Sequence, residues 1–168
     1  MGWSALAPEL FNCNAPDSGN MELLAHGATD EQKERWLWPN YRGEITSAFA
    51  LTEPHLAGAD PTRIDTTATK DGDEWVLNGE KWMITNASVA DFILVFAETN
   101  PENRPHKHAS IFVVPAGTPG LEIVRDIPTM AHPDGEFGRV GNHAYLRFNE
   151  CRVPADHLIG NPGDGFVL

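Results

Sequence analysis

The spacing of apolar residues changes once along this chain, near Ile45, and that change constrains its fold more than any other feature. Before it, apolar positions recur with the period of a helix. After it, they alternate or run together in short blocks, as strands do. Leu6, Leu10 and Phe11 fall on one side of a short helix predicted around Ser4 to Cys13, and Met21, Leu23 and Leu24 seed a second that ends near Gly27. Thr29-x-x-Gln32 reads as a capping box, Asp30 and Glu31 suit the helix dipole, and Glu31 and Arg35 sit one turn apart. Pro39 is expected to close that helix, because the residue before a proline avoids helical angles.

Beyond Ile45 the alternation is direct: Ile64, Thr66 and Ala68 interleave with Arg63, Asp65 and Thr67. Asp71-Gly72 and Asn78-Gly79 both read as hairpin turns, since both dipeptides tolerate positive φ; this predicts separate strands over Glu74 to Asn78 and Glu80 to Asn86. Phe92 to Ala97 and Ile111 to Val114 are continuous apolar runs, suited to strands buried on both faces, with a polar loop over Asn100 to His108 between them. Ala144, Leu146 and Phe148 alternate with Tyr145, Arg147 and Asn149 as one more half-buried strand. Many short strands with Gly and Pro turns predict a barrel or sandwich. The expected fold class is α+β, a mainly-β domain of short antiparallel strands preceded by a short helical segment. The expected boundaries are 1–45 for the helical segment, 46–157 for the β-domain, and 158–168 for a loop leading toward a further helix.

Composition narrows the functional classes. The 168 residues are 41% hydrophobic and 21% charged, as in ordinary globular proteins, and the net charge of -12 argues against a nucleic-acid partner. Cys13 and Cys151 lie far apart, fit no metal-ligand spacing and suit a reducing compartment. No stretch approaches the roughly 20 apolar residues of a membrane span, and no basic segment precedes an apolar core at the start, so a soluble intracellular protein is expected. His106 and His108 stand on a proline-rich loop without a cysteine or carboxylate to complete a set, so no metal is expected. Neither a Gly-x-Gly-x-x-Gly turn nor a Walker lysine motif is present.

Two segments carry the functional signal. Phe49-Ala-Leu-Thr-Glu-Pro-His-Leu-Ala-Gly-Ala-Asp60 runs from an apolar strand into a turn of small side chains, which lets the backbone approach a flat ligand. Asn78-Gly-Glu-Lys-Trp-Met-Ile-Thr-Asn86 follows. Together they resemble the acyl-CoA dehydrogenase family, flavoproteins that oxidise acyl-CoA thioesters. Thr52, Glu53, Pro54 and Asp60 match the first family motif; Gly79, Lys81, Ile84, Thr85 and Asn86 match the second. Further matches at Gly19-Asn20-Met21-Glu22, Glu31-Gln32-Lys33, Pro119-Gly120, Arg152-Val153-Pro154 and Leu158-Ile159-Gly160 extend the resemblance along nearly the whole chain.

The resemblance implies FAD as cofactor and assigns one wall of its site to this chain. Phe49, Ala50 and Leu51 would approach the ring by their backbone and Thr52 by its hydroxyl, with Gly58 and Ala59 in the turn and Met83, Ile84 and Thr85 from the second segment; Ala59 would also meet the acyl-CoA substrate. Removing two hydrogens from adjacent carbons needs a base for one and a hydride acceptor for the other, and no side chain can accept hydride. In the family the base is a glutamate on a helical domain that follows, so no catalytic residue is expected within 1–168, and Glu53 is expected to serve as a structural hydrogen-bonding group. The chain is accordingly expected to be a piece of a longer enzyme that forms trans-2-enoyl-CoA in fatty-acid β-oxidation. That enzyme would pass electrons to an electron-transferring flavoprotein and work as a homotetramer or dimer. Its expected compartment is the bacterial cytoplasm, or the mitochondrion or peroxisome of a eukaryote. The alternatives are an acyl-CoA oxidase or flavin monooxygenase of the same fold, or a non-catalytic β-domain that binds flavin or a partner.

Departures from the family pattern are local. Strict alternation puts Lys81, Met83 and Thr85 on one face and Trp82 and Ile84 on the other. Met83 then stands where many members carry a tryptophan stacked on the flavin, and Trp82 lies across the pleat. Where much of the family reads Gly-x-Gly-Ser-Asp, this chain has His55-Leu-Ala-Gly-Ala-Asp60, so Ala59 offers only its backbone N–H in place of a serine. The acidic balance gives a CoA phosphate no general attraction, leaving Arg63, Lys81 and Arg125 as candidate local cations.

Overall fold

A computed structural model describes residues 7–58, 60–130, 133 and 142–168. Its first layer is helical: α1 (Ala7–Leu10), α2 (Asp17–Gly27), α3 (Asp30–Gln32), a π-helical stretch (Lys33–Leu37) and α4 (Trp38–Tyr41). The capping box at Thr29 forms, with Thr29 N–H donating to Gln32 Oε1 at 2.8 Å and Gln32 N–H to Thr29 Oγ1 at 3.2 Å. The Gln32 amide also donates to the carbonyls of Asp156 and Leu158, tying this helix to the far end of the chain.

Three helical expectations are corrected. Among the described residues the first helix spans Ala7–Leu10 and stops short of Cys13; Leu10 and Phe11 are exposed, and Ser4 to Leu6 lie outside the described residues. Pro39 does not end the third helix, because the path continues to Tyr41. The residues ahead of Pro39 wind as a π-helix, with Trp38 N–H reaching the Lys33 carbonyl, so the proline enters a fresh helical turn where its missing N–H leaves no bond unmade. Arg35 does not pair with Glu31: its guanidinium meets His157 Nε2 at 3.2 Å and covers the Trp36 ring.

The sheet comprises β1 (Ser47–Ala50), β2 (Thr67–Asp71), β3 (Glu74–Thr85), β4 (Phe92–Glu98), β5 (Ala109–Pro115), β6 (Leu121–Asp126), β7 (His143–Pro154) and β8 (Leu158–Ile159). Its order is β6-β7-β3-β2-β4-β5-β8, with β1 beside β4 in parallel. The mainly-β fold class holds. The Asp71-Gly72 hairpin forms, with Asp71 opposite Glu74.

Asn78-Gly79 makes no turn. It lies inside the 12-residue strand β3, at a shift in register against β7. Gly79 has φ 143, and a Cβ placed there would stand 2.6 Å from the Cα of Thr66. The glycine is required by the close passage of that backbone, not by a reversal of the chain. Asn78 spans the irregularity, accepting from Glu150 N–H at 2.8 Å and donating to Glu150 Oε1 at 3.0 Å. The chain also folds β8 into the sheet beyond residue 157, through Ile111 opposite Ile159.

As predicted, β4 and β5 are buried on both faces, and each face serves a different core. Ile93, Val95, Phe112 and Val114 pack with Leu77, Ile84, Leu146 and Phe148 inside the curl of the sheet. Phe92, Leu94, Ile111 and Val113 pack with Leu24, Trp36, Leu37 and Ile159 beneath the helices. Cys151 lies in the first core, where burial pushes its thiol up to about 11. The helical layer is pinned to the sheet by Asp17, whose Oδ1 accepts from Ser47 N–H at 2.7 Å, Ser47 Oγ at 2.6 Å and Asn40 Nδ2 at 2.7 Å. That contact fixes the start of β1, the strand that leads into the candidate site.

Candidate functional site

After β1 the chain runs as Leu51-Thr52-Glu53 alongside the second half of β3. Trp82 N–H donates to the Thr52 carbonyl at 2.8 Å, and Thr52 Oγ1 donates to the Trp82 carbonyl in return. The turn and the later strand are therefore joined directly, residue to residue. Beneath this junction Lys81 Nζ donates to the Leu51 carbonyl and to Glu53 Oε1, each at 2.9 Å. Glu53 also accepts from Asp65 N–H at 2.8 Å and Thr66 N–H at 2.9 Å.

Beta3 carries a second irregularity here. Lys81 stands opposite Leu146 and Ile84 opposite Ala144, so Trp82 and Met83 together face only Tyr145. This is the two-against-one count of a β-bulge, and Met83 sits in it with a left-handed φ of 60. The predicted alternation is corrected by this extra residue. Lys81 and Ile84 both turn inward, at 0% and 1% exposure, while Met83 leaves the pleat and is 40% exposed. Trp82 and Thr85 share the outer face: Trp82 makes an edge contact with Tyr145 at 5.3 Å, and Thr85 Oγ1 lies 3.0 Å from His143 Nδ1. Arg125 covers the Trp82 ring at 5.4 Å.

The pattern described as "Acyl-CoA dehydrogenase, middle domain" matches residues 48–143, which covers most of β1, the turn, all of β3 with its bulge at Met83, and the first residue of β7. The chain belongs to the acyl-CoA dehydrogenase family. It is 40% identical over 170 residues to "Probable acyl-CoA dehydrogenase FadE2" of Mycobacterium tuberculosis, covering 99% of this chain and 40% of that protein. It is also 40% identical over 165 residues to human acyl-CoA dehydrogenase family member 11, covering 96% of this chain and 21% of that protein. The crystal structure of an acyl-CoA dehydrogenase from Geobacillus kaustophilus superposes with a TM-score of 0.77 at 39% identity, over 87% of this chain and 37% of that one. The chain thus spans two-fifths or less of the length of these relatives.

Within this family member the expected wall residues separate into groups. Thr52, Met83 and Thr85 lie at or beside the junction and retain partial exposure. Ala50 and Ile84 are buried in the first core, so their side chains are unavailable to a ligand and only their backbone remains. Phe49 and Leu51 are partly buried against the second core. Gly58 is exposed in the turn, and a Cβ there would lie 3.2 Å from Thr52 Cγ2. Ala59 lies outside the described residues. Asp60 accepts from Thr62 Oγ1 at 2.6 Å and Thr62 N–H at 3.1 Å; these bonds hold its carboxyl below the usual range and close the turn.

Glu53 has the structural role expected of it. Burial pushes its carboxyl up, but the Lys81 charge and the bonds from Thr66, Lys81 and Asp65 outweigh that and leave it below the ordinary carboxylate range. Burial pushes the Lys81 ammonium down to about 8 against the opposing pull of Glu53. Being wholly enclosed, Lys81 cannot serve a CoA phosphate, which corrects that expectation; Arg63 and Arg125 remain candidates. Among the described residues no group of three His, Cys, Asp or Glu side chains could hold a metal ion, and His106 and His108 instead flank the Phe166 ring.

The donor set fits the edge of a flavin. With its proton committed to the Trp82 carbonyl, Thr52 Oγ1 keeps its lone pairs and can accept a ring N–H. Met83 presents an exposed thioether from a bulge, free of the core. The residues missed at the sequence level are the β7 partners His143 and Tyr145. Their alternation with Ala144 and Leu146 was readable, but which strand they would face was not.

Proposed function

We propose that this chain forms the β-domain wall of an FAD site in an enzyme that oxidises an acyl-CoA thioester to its trans-2-enoyl-CoA. The observation that carries the reading is the reciprocal hydrogen bonding of Thr52 and Trp82, which brings the two family motifs edge to edge. Bound flavin would supply the hydride acceptor that no side chain provides. Thr52 orients the ring by accepting from it, Thr85 is steered by His143, and the Met83 thioether adds a soft contact worth about 0.3–1.5 kcal/mol. The backbone of Phe49 to Leu51 and of Gly58 lines the approach, and Ala59, outside the described residues, is assigned to cofactor and substrate by the family pattern alone. The proton acceptor belongs to a helical domain of the longer enzyme, where the family glutamate resides, and not to 1–168.

The same reading divides the chain into 1–45, 46–157 and 158–168. It gives the enzyme an electron-transferring flavoprotein as acceptor, a homo-oligomeric assembly, and a soluble setting in the cytoplasm, mitochondrion or peroxisome. The test is a titration of the purified protein with FAD, followed by visible absorbance and quenching of flavin fluorescence. Uptake that Met83→Ala and Thr52→Val both weaken is the expected result. A colourless protein that takes up no added FAD would sink the proposal and favour the partner-binding β-domain. In the assembled enzyme, hydrogen peroxide released in step with product would favour the oxidase instead.

A further inference from the structure

We infer that the buried Lys81–Glu53 pair is a positioning latch, which holds the Thr52 turn against the bulge of β3 and so sets the height of the flavin wall. The inference rests on the flavin reading above for its functional consequence, but the latch itself stands on geometry. Two opposite charges, 2.9 Å apart, gather three separated stretches of chain: Leu51–Glu53, Asp65–Thr66 and the middle of β3. Both side chains are enclosed, at 0% and 5% exposure. Among the described residues, the Lys81 ammonium donates only to the turn, to the Leu51 carbonyl and the Glu53 carboxylate on either side of Thr52.

A buried ion pair is a poor way to add stability, because desolvation consumes most of the attraction. Apolar residues of similar volume in place of both groups would fill the same space at no greater cost, whereas replacing Lys81 alone would strand the buried Glu53 charge. What the charges add is register: an ammonium that must meet one carboxylate and one carbonyl permits a single seating of the turn, whereas apolar contacts tolerate sliding. Neither group reaches the exposed wall, so both act through Thr52.

Protonation acts on this latch with a definite sign. Glu53 sits below its ordinary value of 4.5, so its contribution is present above that value and is lost as pH falls through the lower native one. Lys81 is lowered from 10.5 to about 8 by burial, so folding as a whole gains stability as pH rises across that interval, while the charge that meets Glu53 is given up. The neighbouring charged groups do not compete. Asp65 contributes its backbone N–H and points its side chain to solvent, Glu80 pairs with Arg147 on the outer face of β3, His55 is in the turn but exposed, and β7 presents Leu146 opposite Lys81.

The test compares the protein with a neutral double variant, Lys81→Met with Glu53→Gln, which leaves no unpaired buried charge and is expected to fold. Amide hydrogen exchange reads the latch without flavin, since the Trp82 N–H is donated to the Thr52 carbonyl. The expected result is at least tenfold faster exchange at Trp82 in the double variant, with amides of β4 and β5 unchanged, and at least tenfold weaker FAD binding. In the parent, Trp82 protection should fall below pH 4.5 after correction for intrinsic exchange, and in the double variant that dependence should vanish. Unchanged Trp82 exchange overturns the latch. So does a loss of protection that extends equally through β4 and β5, which would make the pair a general part of the fold. If Trp82 opens as expected but neither protein binds FAD, the latch stands and the flavin reading fails.

Discussion

At the scale of single residues, two left-handed backbone positions in β3 serve opposite purposes. Gly79 is dictated by its surroundings: a side chain there would strike the backbone of Thr66 at 2.6 Å. Gly79→Ala should therefore lower stability by about 1–3 kcal/mol through overpacking, with strain at φ 143 adding to it, read from the midpoint of urea unfolding. Met83 is not dictated in this way. It carries a left-handed φ of 60 with a side chain 40% exposed. Relieving that conformation recovers about 1–2 kcal/mol, against about 0.5–1 kcal/mol of extra chain entropy lost by a glycine. Met83→Gly should thus unfold at or above the parent's urea midpoint while binding FAD more weakly. A clear loss of stability would mean that the thioether is part of the packing after all. Neither position was legible locally: Asn78-Gly79 looks like a turn and Met83 like one more alternating residue, because the partners that decide otherwise, Thr66 and Tyr145, are distant in sequence.

At the scale of elements, periodicity was a sound guide wherever one element met a uniform environment. The apolar runs of β4 and β5 announced burial on both faces, and the alternation at Ala144, Leu146 and Phe148 announced the inner side of β7. What periodicity could not reveal was interruption by a neighbour. The two irregularities between β3 and β7, an extra β7 residue near Glu150 and an extra β3 residue at Met83, arise from their pairing, and the π-helical stretch ahead of Pro39 is a change of winding that no local signal marks. Strand β6 went unread, since neither of its faces is buried: exposed and partly buried residues fall on both. The junction of Thr52 with Trp82 was legible only as a family resemblance between two motifs; its hydrogen bonds were not. Because adjacent residues of β4 enter different cores, they offer a direct check of the layering. Ile93→Ala and Leu94→Ala should each cost about 2–5 kcal/mol, but Leu94→Ala should speed hydrogen exchange in α2 beyond the common rise that the lower global stability brings.

At the scale of the molecule, the two layers share their most buried strands. The helices cover one face of β4 and β5, and the curled sheet closes over the other, while Asp17 ties α2 to β1. Heat should therefore unfold both layers in one transition, with circular dichroism at 222 nm and tryptophan fluorescence giving the same midpoint and the calorimetric enthalpy matching the van't Hoff value. An early loss of helix signal would disprove the sharing. The double use of β4 also bears on modularity. The change of period at Ile45 looks like a seam along which a β-domain might be cut free and grafted elsewhere. Cutting there would leave Phe92, Leu94, Ile111 and Val113 facing water as a raw apolar plate. The flavin wall proposed here can travel to another protein only if its helical roof travels with it.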